Sequence, residues 1–208
     1  SSKSNYLRVT HKIFLTLNQG RDFSAYCIAA RDIYDKYDYV CCLKDKKAPH
    51  TSYLAAESFD KQCWDSVLFS RDYVNNCLRL FYDHHSAGMI FSPPPNFGPY
   101  TALGNEMSKD RQHVLYLWKE LKLQIPQEES DLIAPFGSIF WIKSAAIRTM
   151  LSHHWTYEEM PAEPIGPDGT LLHGLERIWA YAAQNDGYYP VIATPTLLGE
   201  IYYGHALL

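Results

Sequence analysis

Alternation between apolar runs and helical patterns is the feature that most constrains the fold of this chain. Residues 11–17 (HKIFLTL) are typical of a short strand, and residues 18–22 (NQGRD) have the composition of a turn. Residues 23–34 favour a helix, and residues 37–43 (YDYVCCL) predict a second strand, apolar enough to be buried on both faces. Strand, turn, helix and strand within about 35 residues make a βαβ unit, whose crossover is right-handed.

The rest of the chain continues this alternation. Strands are predicted at residues 87–92, within 133–142 and at 189–194, and helices at 67–82, 110–123, 144–151 and 170–184. The pattern predicts a single α/β domain over residues 1–208, with a mostly parallel sheet flanked by helices. Because ligands of such sheets bind at the carboxyl ends of the strands, polar clusters that follow strands are the candidate site.

Composition and charge exclude several classes of function. A net charge of −4 gives no indication of a nucleic-acid partner. No apolar run approaches the roughly 20 residues that span a bilayer, and the polar first residues do not resemble a signal peptide. The five cysteines are an odd number without framework spacing, so we expect reduced thiols and a cytoplasmic location.

The most informative polar stretch is residues 168–177 (DGTLLHGLER). Asp168 lies in a turn after a proline, and Thr170 is the predicted N-cap of the following helix. A carboxylate at this position is favoured by the helix dipole and held rigidly. The alternative is a capped helix whose buried ion pair locks the preceding loop. The candidate residues of the stretch, the last three on one side of the helix, are Asp168, Gly169, Thr170, His173, Glu176 and Arg177.

A second cluster opens at Asn18, where the first predicted strand gives way to a helix. Gly20 permits a sharp backbone turn, and the N-terminus of the helix can hold an anion. Arg21 supplies a bidentate contact for a phosphate. The alternative is a capped helix start with a surface pair between Arg21 and Asp22.

A third cluster follows the second predicted strand. Lys44, Lys46, Lys47 and His50 form a compact cationic group suited to a diphosphate. Asp45 is a candidate metal ligand, although one carboxylate is weak support for a metal site. The alternative is a solvated lysine turn, the usual fate of a run of charges.

A fourth cluster combines a Gly-Ser corner with aromatic residues. Gly137 permits close approach of the backbone to a ligand, and Ser138 follows it. Trp141 is a candidate sugar platform, with burial in the core as the alternative. The chain has no Gly-x-Ser-x-Gly elbow and no Walker loop, so hydrolase and nucleotide-kinase functions lack support.

In order, these segments resemble the rhamnan synthesis protein F family of bacterial glycosyltransferases. The family's Asn-Arg-Gly-Arg-Asp segment is matched at 18–22 except for Gln19, and its His-Thr-Lys-Lys-Ser-Pro segment is similar to 44–49. In this chain, Lys44 and Asp45 stand where the family segment has His-Thr. Gly-Ser-Met-Phe-Trp corresponds to 137–141, and Asp-Gly-Thr-Leu-x-His-x-x-Glu-Arg is matched in full at 168–177.

The resemblance implies a role in assembling a cell-surface polysaccharide, such as a cell-wall rhamnan or an O-antigen. Rhamnose or a related sugar would pass from a nucleotide-sugar donor such as dTDP-rhamnose to a growing glycan on a lipid carrier. The implied fold is similar to the A-type glycosyltransferase fold, with a Rossmann-like sheet. Peripheral association with the inner face of the membrane is also expected. The upstream strand that helps to hold the nucleotide base in A-type folds is expected to be shortened or missing.

The implied mechanism is an inverting transfer that requires a positioned carboxylate base. Asp168 is the first candidate for that base, and Glu163 in the same loop is the second. His173 and Arg177 would orient the acid or bind phosphate, with Glu176 fixing Arg177.

Donor contacts and supporting contacts complete the predicted site. Positive charge would stabilise the departing diphosphate. No Asp-x-Asp follows the second strand, so lysines would replace a metal, while Mg²⁺ or Mn²⁺ at Asp45 is the other option. The donor set is Asn18, Gly20, Arg21, Asp22, Lys44, Asp45, Lys46 and Lys47; the supporting or acceptor set is His50, Gly137, Ser138, Trp141, Gly169, Thr170, His173, Glu176 and Arg177. Two rival hypotheses are a non-catalytic nucleotide-sugar or glycan-binding module of a larger protein and a structural scaffold.

Overall fold

Helices and strands alternate along the chain in a computed structural model, which describes residues 12–45, 52–95, 107–127, 132–197 and 199. Short 3₁₀ turns and one π-helical turn connect several of the elements. None of the described helices is long and apolar enough to cross a membrane. In chain order, the helices and strands are α1 (Arg21–Ser24), β1 (Tyr39–Cys42), α2 (Tyr53–Leu68), α3 (Arg71–Asp83), β2 (Ala87–Phe91), α4 (Arg111–Glu120), β3 (Phe140–Lys143), α5 (Arg148–Ser152), α6 (Leu171–Asn185) and β4 (Tyr189–Ile192).

The described strands form one mixed sheet in the order β1-β3-β2-β4. Strand β3 is antiparallel to both of its neighbours, with Ile142 opposite Val40 on one side and Met89 on the other. Only β2 and β4 are parallel. The predicted α/β class is confirmed. The prediction of a mostly parallel, Rossmann-like sheet is wrong for these strands, because β3 begins at the edge where β1 and β2 end.

Two sequence-based boundaries also differ from the structure. Residues 12–17, most of the first predicted strand, have no regular structure, and Ile13 and Leu15 are 88% and 97% exposed. Apolar residues of this kind form a strand only when a partner surface covers them. The predicted helix 67–82 is divided between α2 and α3. Helix α3 begins after Ser70, whose hydroxyl accepts the Tyr73 N–H at 3.1 Å as an N-cap.

Helices cover both faces of the sheet, so alternate residues of β3 have different surroundings. Phe140 is fully buried against Trp179 of α6, with ring centroids 5.1 Å apart. Trp141 points to the opposite face, where its Nε1 donates a hydrogen bond to the Val67 carbonyl of α2 at 3.0 Å. Helices α4 and α6 therefore lie on one face, and α2 and α3 on the other.

The strand register gathers several polar segments at one edge of the sheet. Cys42 at the end of β1 and Phe91 at the end of β2 both pair with Phe140, the first residue of β3. Ile192 at the end of β4 pairs with Phe91, so β4 ends at the same edge. We call this region the polar edge: residues 43–45 after β1, 92–95 after β2 and 136–139 before β3.

The N-terminus of helix α6 lies at the polar edge. Its apolar stripe of Leu175, Ile178, Trp179 and Ala182 is buried against the sheet at helical spacing. The helix leads directly into β4, which starts at the opposite edge of the sheet. The first turn of α6, with the polar residues 168–177 singled out in the sequence, therefore lies beside residues 136–139.

Candidate functional site

The turn before α6 presents an exposed acid on a fixed backbone. The side chain of Asp168 is exposed to solvent, and Gly169 adopts φ +67°, a left-handed conformation that favours glycine. Thr170 occupies the predicted N-cap position with φ −119° and ψ 164°. Its hydroxyl, however, pairs with Nδ1 of His173 at 2.8 Å rather than with a backbone N–H. Thr170 is at the N-cap position as predicted, but its hydroxyl is hydrogen bonded to the His173 imidazole instead of capping the helix.

A buried ion pair lies beneath this turn. Asp110, immediately before α4, is fully buried, and its Oδ2 lies 3.1 Å from Nη2 of Arg177. The same guanidinium donates to the His173 carbonyl at 3.1 Å and lies 3.4 Å from a carboxylate oxygen of Glu176. The nearer carboxylate partner of Arg177 is thus Asp110, which the sequence reasoning did not select. The only sequence signal was its place at the start of a predicted helix.

Burial and neighbouring charges shift the titration of this cluster. Burial raises the pKa of the Asp110 carboxyl, and Asp168 adds to that shift while Arg177 and His173 oppose it. Burial also lowers the pKa of the His173 imidazole, against the opposing effect of Glu176 and Asp110. His173 is therefore neutral at neutral pH, and the charges of Asp168 and Asp110 act on each other across the turn.

Glu176 joins α6 to the Gly-Ser corner of the polar edge. Its Oε2 accepts the Gly137 N–H at 2.9 Å and the Ser138 hydroxyl at 3.3 Å. Gly137 and Ser138 have φ +86° and +53°, so the corner is a left-handed turn. The Ser138 carbonyl accepts a hydrogen bond from the Tyr26 hydroxyl at 3.2 Å. The Gly-Ser corner is thus in direct contact with the 168–177 stretch.

The segment at residues 18–22 contacts the long loop that precedes α6. Nε of Arg21 lies 3.3 Å from Oε1 of Glu163, and its Nη2 donates to the Ile165 carbonyl at 3.2 Å. Gly20 has φ +77°, and a Cβ there would lie 2.7 Å from Cγ of Met160. Asn18 is exposed. The second cluster, residues 18–22, therefore anchors the loop that contains Glu163.

The second candidate base is already engaged within this loop. Oε1 of Glu163 pairs with Arg21, and its Oε2 accepts the Ile165 N–H at 2.9 Å. In Asp168, by contrast, the carboxylate is exposed beside the first turn of α6. The geometry favours Asp168 over Glu163 as a group that can reach an acceptor.

The lysine cluster begins at the polar edge. Lys44 pairs with Asp22 at 2.8 Å, which connects the third cluster to the second. Asp45 is exposed. Within the described ranges, no three His, Cys, Asp or Glu side chains gather in a group that could hold a metal ion. The remaining members of the predicted group, Lys46, Lys47 and His50, lie outside the described residues.

Trp141 is not part of this assembly. Its indole packs against α2 on the face of the sheet away from α6, where Nε1 is satisfied by the Val67 carbonyl. The structure therefore brings Gly137, Ser138 and the first turns of α6 together and leaves Trp141 in the opposite layer.

Lys44, the Gly-Ser corner and the first turns of α6 thus lie around the end of the sheet where β1, β2 and β4 end. Residues 2–188 match the sequence model of the family described as rhamnan synthesis protein F. The chain belongs to this family, which is associated with the synthesis of rhamnan and other polysaccharides. The resemblance identified from the four sequence segments is confirmed.

Two curated relatives are similar to this chain. Both are uncharacterized proteins WxcX, from two strains of Xanthomonas campestris pv. campestris, and each is 26% identical to this chain. The similarity covers 86% of this chain but 25% of each relative, so the chain spans about a quarter of their length. No solved structure matches the chain with statistical significance.

Proposed function

We propose that this chain is a glycosyltransferase unit that moves rhamnose or a related sugar from a nucleotide donor to a growing cell-surface polysaccharide, with inversion. One observation carries the proposal. The contacts Lys44–Asp22 and Glu176–Gly137 join the four family segments in two pairs, and Arg21–Glu163 links the first pair to the loop that leads into the fourth segment. Cations that can stabilise a departing diphosphate, close to the loop that carries an exposed acid, support this proposal.

Asp168 acts as the general base. As the acceptor hydroxyl attacks the anomeric carbon, its proton passes to the Asp168 carboxylate, a new C–O bond forms and the bond to the diphosphate breaks. The exposed position of Asp168 supports this role. His173, Glu176 and Arg177 hold the first turns of α6 in place through hydrogen bonds to Thr170, Gly137 and the backbone.

The donor diphosphate binds Lys44 of the polar edge and Arg21, whose neighbour Asp22 contacts that lysine. Arg21 and Lys44 each pair with a carboxylate, Glu163 and Asp22, so a diphosphate must compete with those carboxylates. A diphosphate carries more negative charge than a carboxylate, which supports the exchange. Lys46 and Lys47 complete the donor set, and a lipid-linked glycan at the inner face of the membrane is the acceptor.

A transfer assay tests this function. The chain is incubated with dTDP-rhamnose or other nucleotide sugars and a rhamnan oligosaccharide, with Mn²⁺ or with EDTA, and released nucleotide and extended glycan are measured. Transfer with inversion is the expected result, and dependence on Mn²⁺ would support a metal ligand at Asp45. Absence of both transfer and donor hydrolysis with every sugar contradicts the proposal.

A non-catalytic nucleotide-sugar or glycan-binding module is the second candidate. The observation that favours it is that no Asp-x-Asp motif follows the Cys41-Cys42 strand. Calorimetric titration with the same nucleotide sugars separates the two functions. Saturable binding without turnover indicates the module, whereas binding together with transfer indicates the enzyme. No binding at all would indicate a scaffold.

A further inference from the structure

Both backbone groups of Gly169 are bonded to side chains at the start of α4. Oδ1 of Asp110 accepts the Gly169 N–H at 3.0 Å. Nε2 of His113 lies 3.1 Å from the Gly169 carbonyl oxygen. A carbonyl oxygen only accepts hydrogen bonds, so Nε2 of His113 is the donor and bears the hydrogen. The residue next to Asp168 is thus fixed from both sides of its peptide backbone.

Asp110 also connects this turn to helix α6. Its second carboxylate oxygen pairs with Arg177, which in turn donates to the His173 carbonyl. Because Asp110 is fully buried, it cannot itself contact an acceptor sugar. Asp110 therefore acts on a reaction at Asp168 without touching substrate, through its hydrogen bond to the Gly169 backbone and through its charge.

Close packing leaves the turn little freedom to shift. A Cβ on Gly174 would lie 2.6 Å from Cβ of His113, so only glycine allows α4 and α6 to approach this closely. A Cβ on Gly169 would lie 3.1 Å from Cβ of Lys109, which precedes α4. The turn before α6 and the first part of α6 therefore both pack closely against the start of α4.

We propose that Asp110 and His113 are positioning residues. They hold the Asp168 carboxylate in place through their two hydrogen bonds to the Gly169 backbone, which we call the grip. The proposal rests on the proposed function for its catalytic consequence, but not for the grip itself. Neither residue belongs to the four segments that carry the family resemblance. A general base must lie within hydrogen-bond reach of its proton, so loss of the grip lowers turnover without removing any group that touches substrate.

The test combines amide NMR with transfer kinetics on the same variants. In Asp110→Asn, one amide oxygen must serve both Gly169 and Arg177, so the Gly169 amide signal should move upfield. Its hydrogen exchange should quicken by about tenfold or more, as expected for loss of a hydrogen bond to a charged group. His113→Leu should lower kcat by up to about 100-fold with an unchanged donor KM, because the turn is displaced while donor binding is retained.

The matched variant is His113→Gln, whose side-chain amide can still donate to the Gly169 carbonyl and should restore most of the turnover. Asp72→Asn, an exposed first-turn acid on α3, is the control and should change neither readout. If Asp110→Asn does not fold, the two His113 variants decide the proposal by themselves.

Two results would overturn the proposal. One is an unchanged Gly169 amide in both Asp110→Asn and His113→Leu. The other is a displaced amide with wild-type kcat. If the wild-type chain transfers no sugar, the proposed function fails, and the Gly169 amide alone then decides whether the grip exists.

Discussion

Glu176 accepts the backbone N–H of Gly137 at 2.9 Å, so a carboxylate on helix α6 holds the corner from which β3 begins. The same oxygen accepts the Ser138 hydroxyl at 3.3 Å. The corner consists of two residues with positive φ, and the Ser138 N–H donates to the Pro135 carbonyl at 2.8 Å. This one carboxylate therefore joins the third and fourth family segments and fixes the geometry of the polar edge.

We expect Glu176→Ala to lower the free energy of unfolding by about 2 kcal/mol, because it removes a charged acceptor from a buried N–H. Glu176→Gln should cost clearly less, since the amide oxygen can still accept the Gly137 N–H. Urea denaturation at constant slope measures both changes. Glu158→Ala, an exposed glutamate in the loop before α6, is the control and should leave the midpoint unchanged. Equal losses in Ala and Gln variants would argue against the hydrogen bond.

Substitution of Gly20 separates backbone strain from crowding. Gly20 and Gly187 have φ +77° and +88°, but only Gly20 faces a close neighbour, with Met160 Cγ 2.7 Å from an added Cβ. Gly187→Ala should cost about 1 kcal/mol for the left-handed backbone alone. Gly20→Ala should cost at least about 1 kcal/mol more, from overpacking against Met160. Thermal unfolding of the two variants measures the difference, and similar losses would contradict the contact.

The stability of the fold should depend on the protonation of His173. Burial lowers its pKa below the ordinary value of 6.5. The unfolded chain therefore binds a proton at this imidazole more tightly than the folded chain does. The contribution of His173 to the free energy of unfolding is present above pH 6.5 and is lost as the pH falls through its lower folded pKa. His173→Asn, whose amide can still pair with Thr170, should flatten this loss.

The comparison is made by measuring unfolding free energy from pH 7.5 down to about 5 in both proteins. Asp110 nearby changes stability with pH in the opposite direction, because its folded pKa is raised. Its contribution to the free energy of unfolding is lost as the pH rises from the unfolded pKa of 3.8 towards the folded value. The difference between wild type and variant isolates His173. A difference that does not change with pH would contradict the lowered pKa.

The sequence predicts contacts within one helix turn better than contacts between distant elements. The spacing of His173, Glu176 and Arg177 correctly places them at the start of one helix. It does not reveal that Glu176 reaches Gly137 or that Arg177 pairs with Asp110, because those contacts depend on how α4, α6 and β3 are arranged. Local patterns contain no information about such long-range neighbours.

The direction of β3 is the second feature beyond the reach of local patterns. A strand is predicted within residues 133–142, and one is present at Phe140–Lys143. Whether it runs parallel or antiparallel to β1 depends on which edge the chain reaches after α4. The segment at residues 12–17 fails for a related reason: its apolar pattern is that of a strand, but no described strand covers it.

Transfer by Asp168→Asn is the measurement that tests the central claim most directly. The substitution keeps the shape of an exposed side chain, so the melting temperature should stay within about 2 °C of wild type. We expect transfer to fall by at least about 100-fold, because an amide cannot take the proton from the hydroxyl of the acceptor sugar. Asp35→Asn, an exposed acid in another turn, should transfer like wild type. Transfer by Asp168→Asn at the wild-type rate would show that Asp168 is not the base.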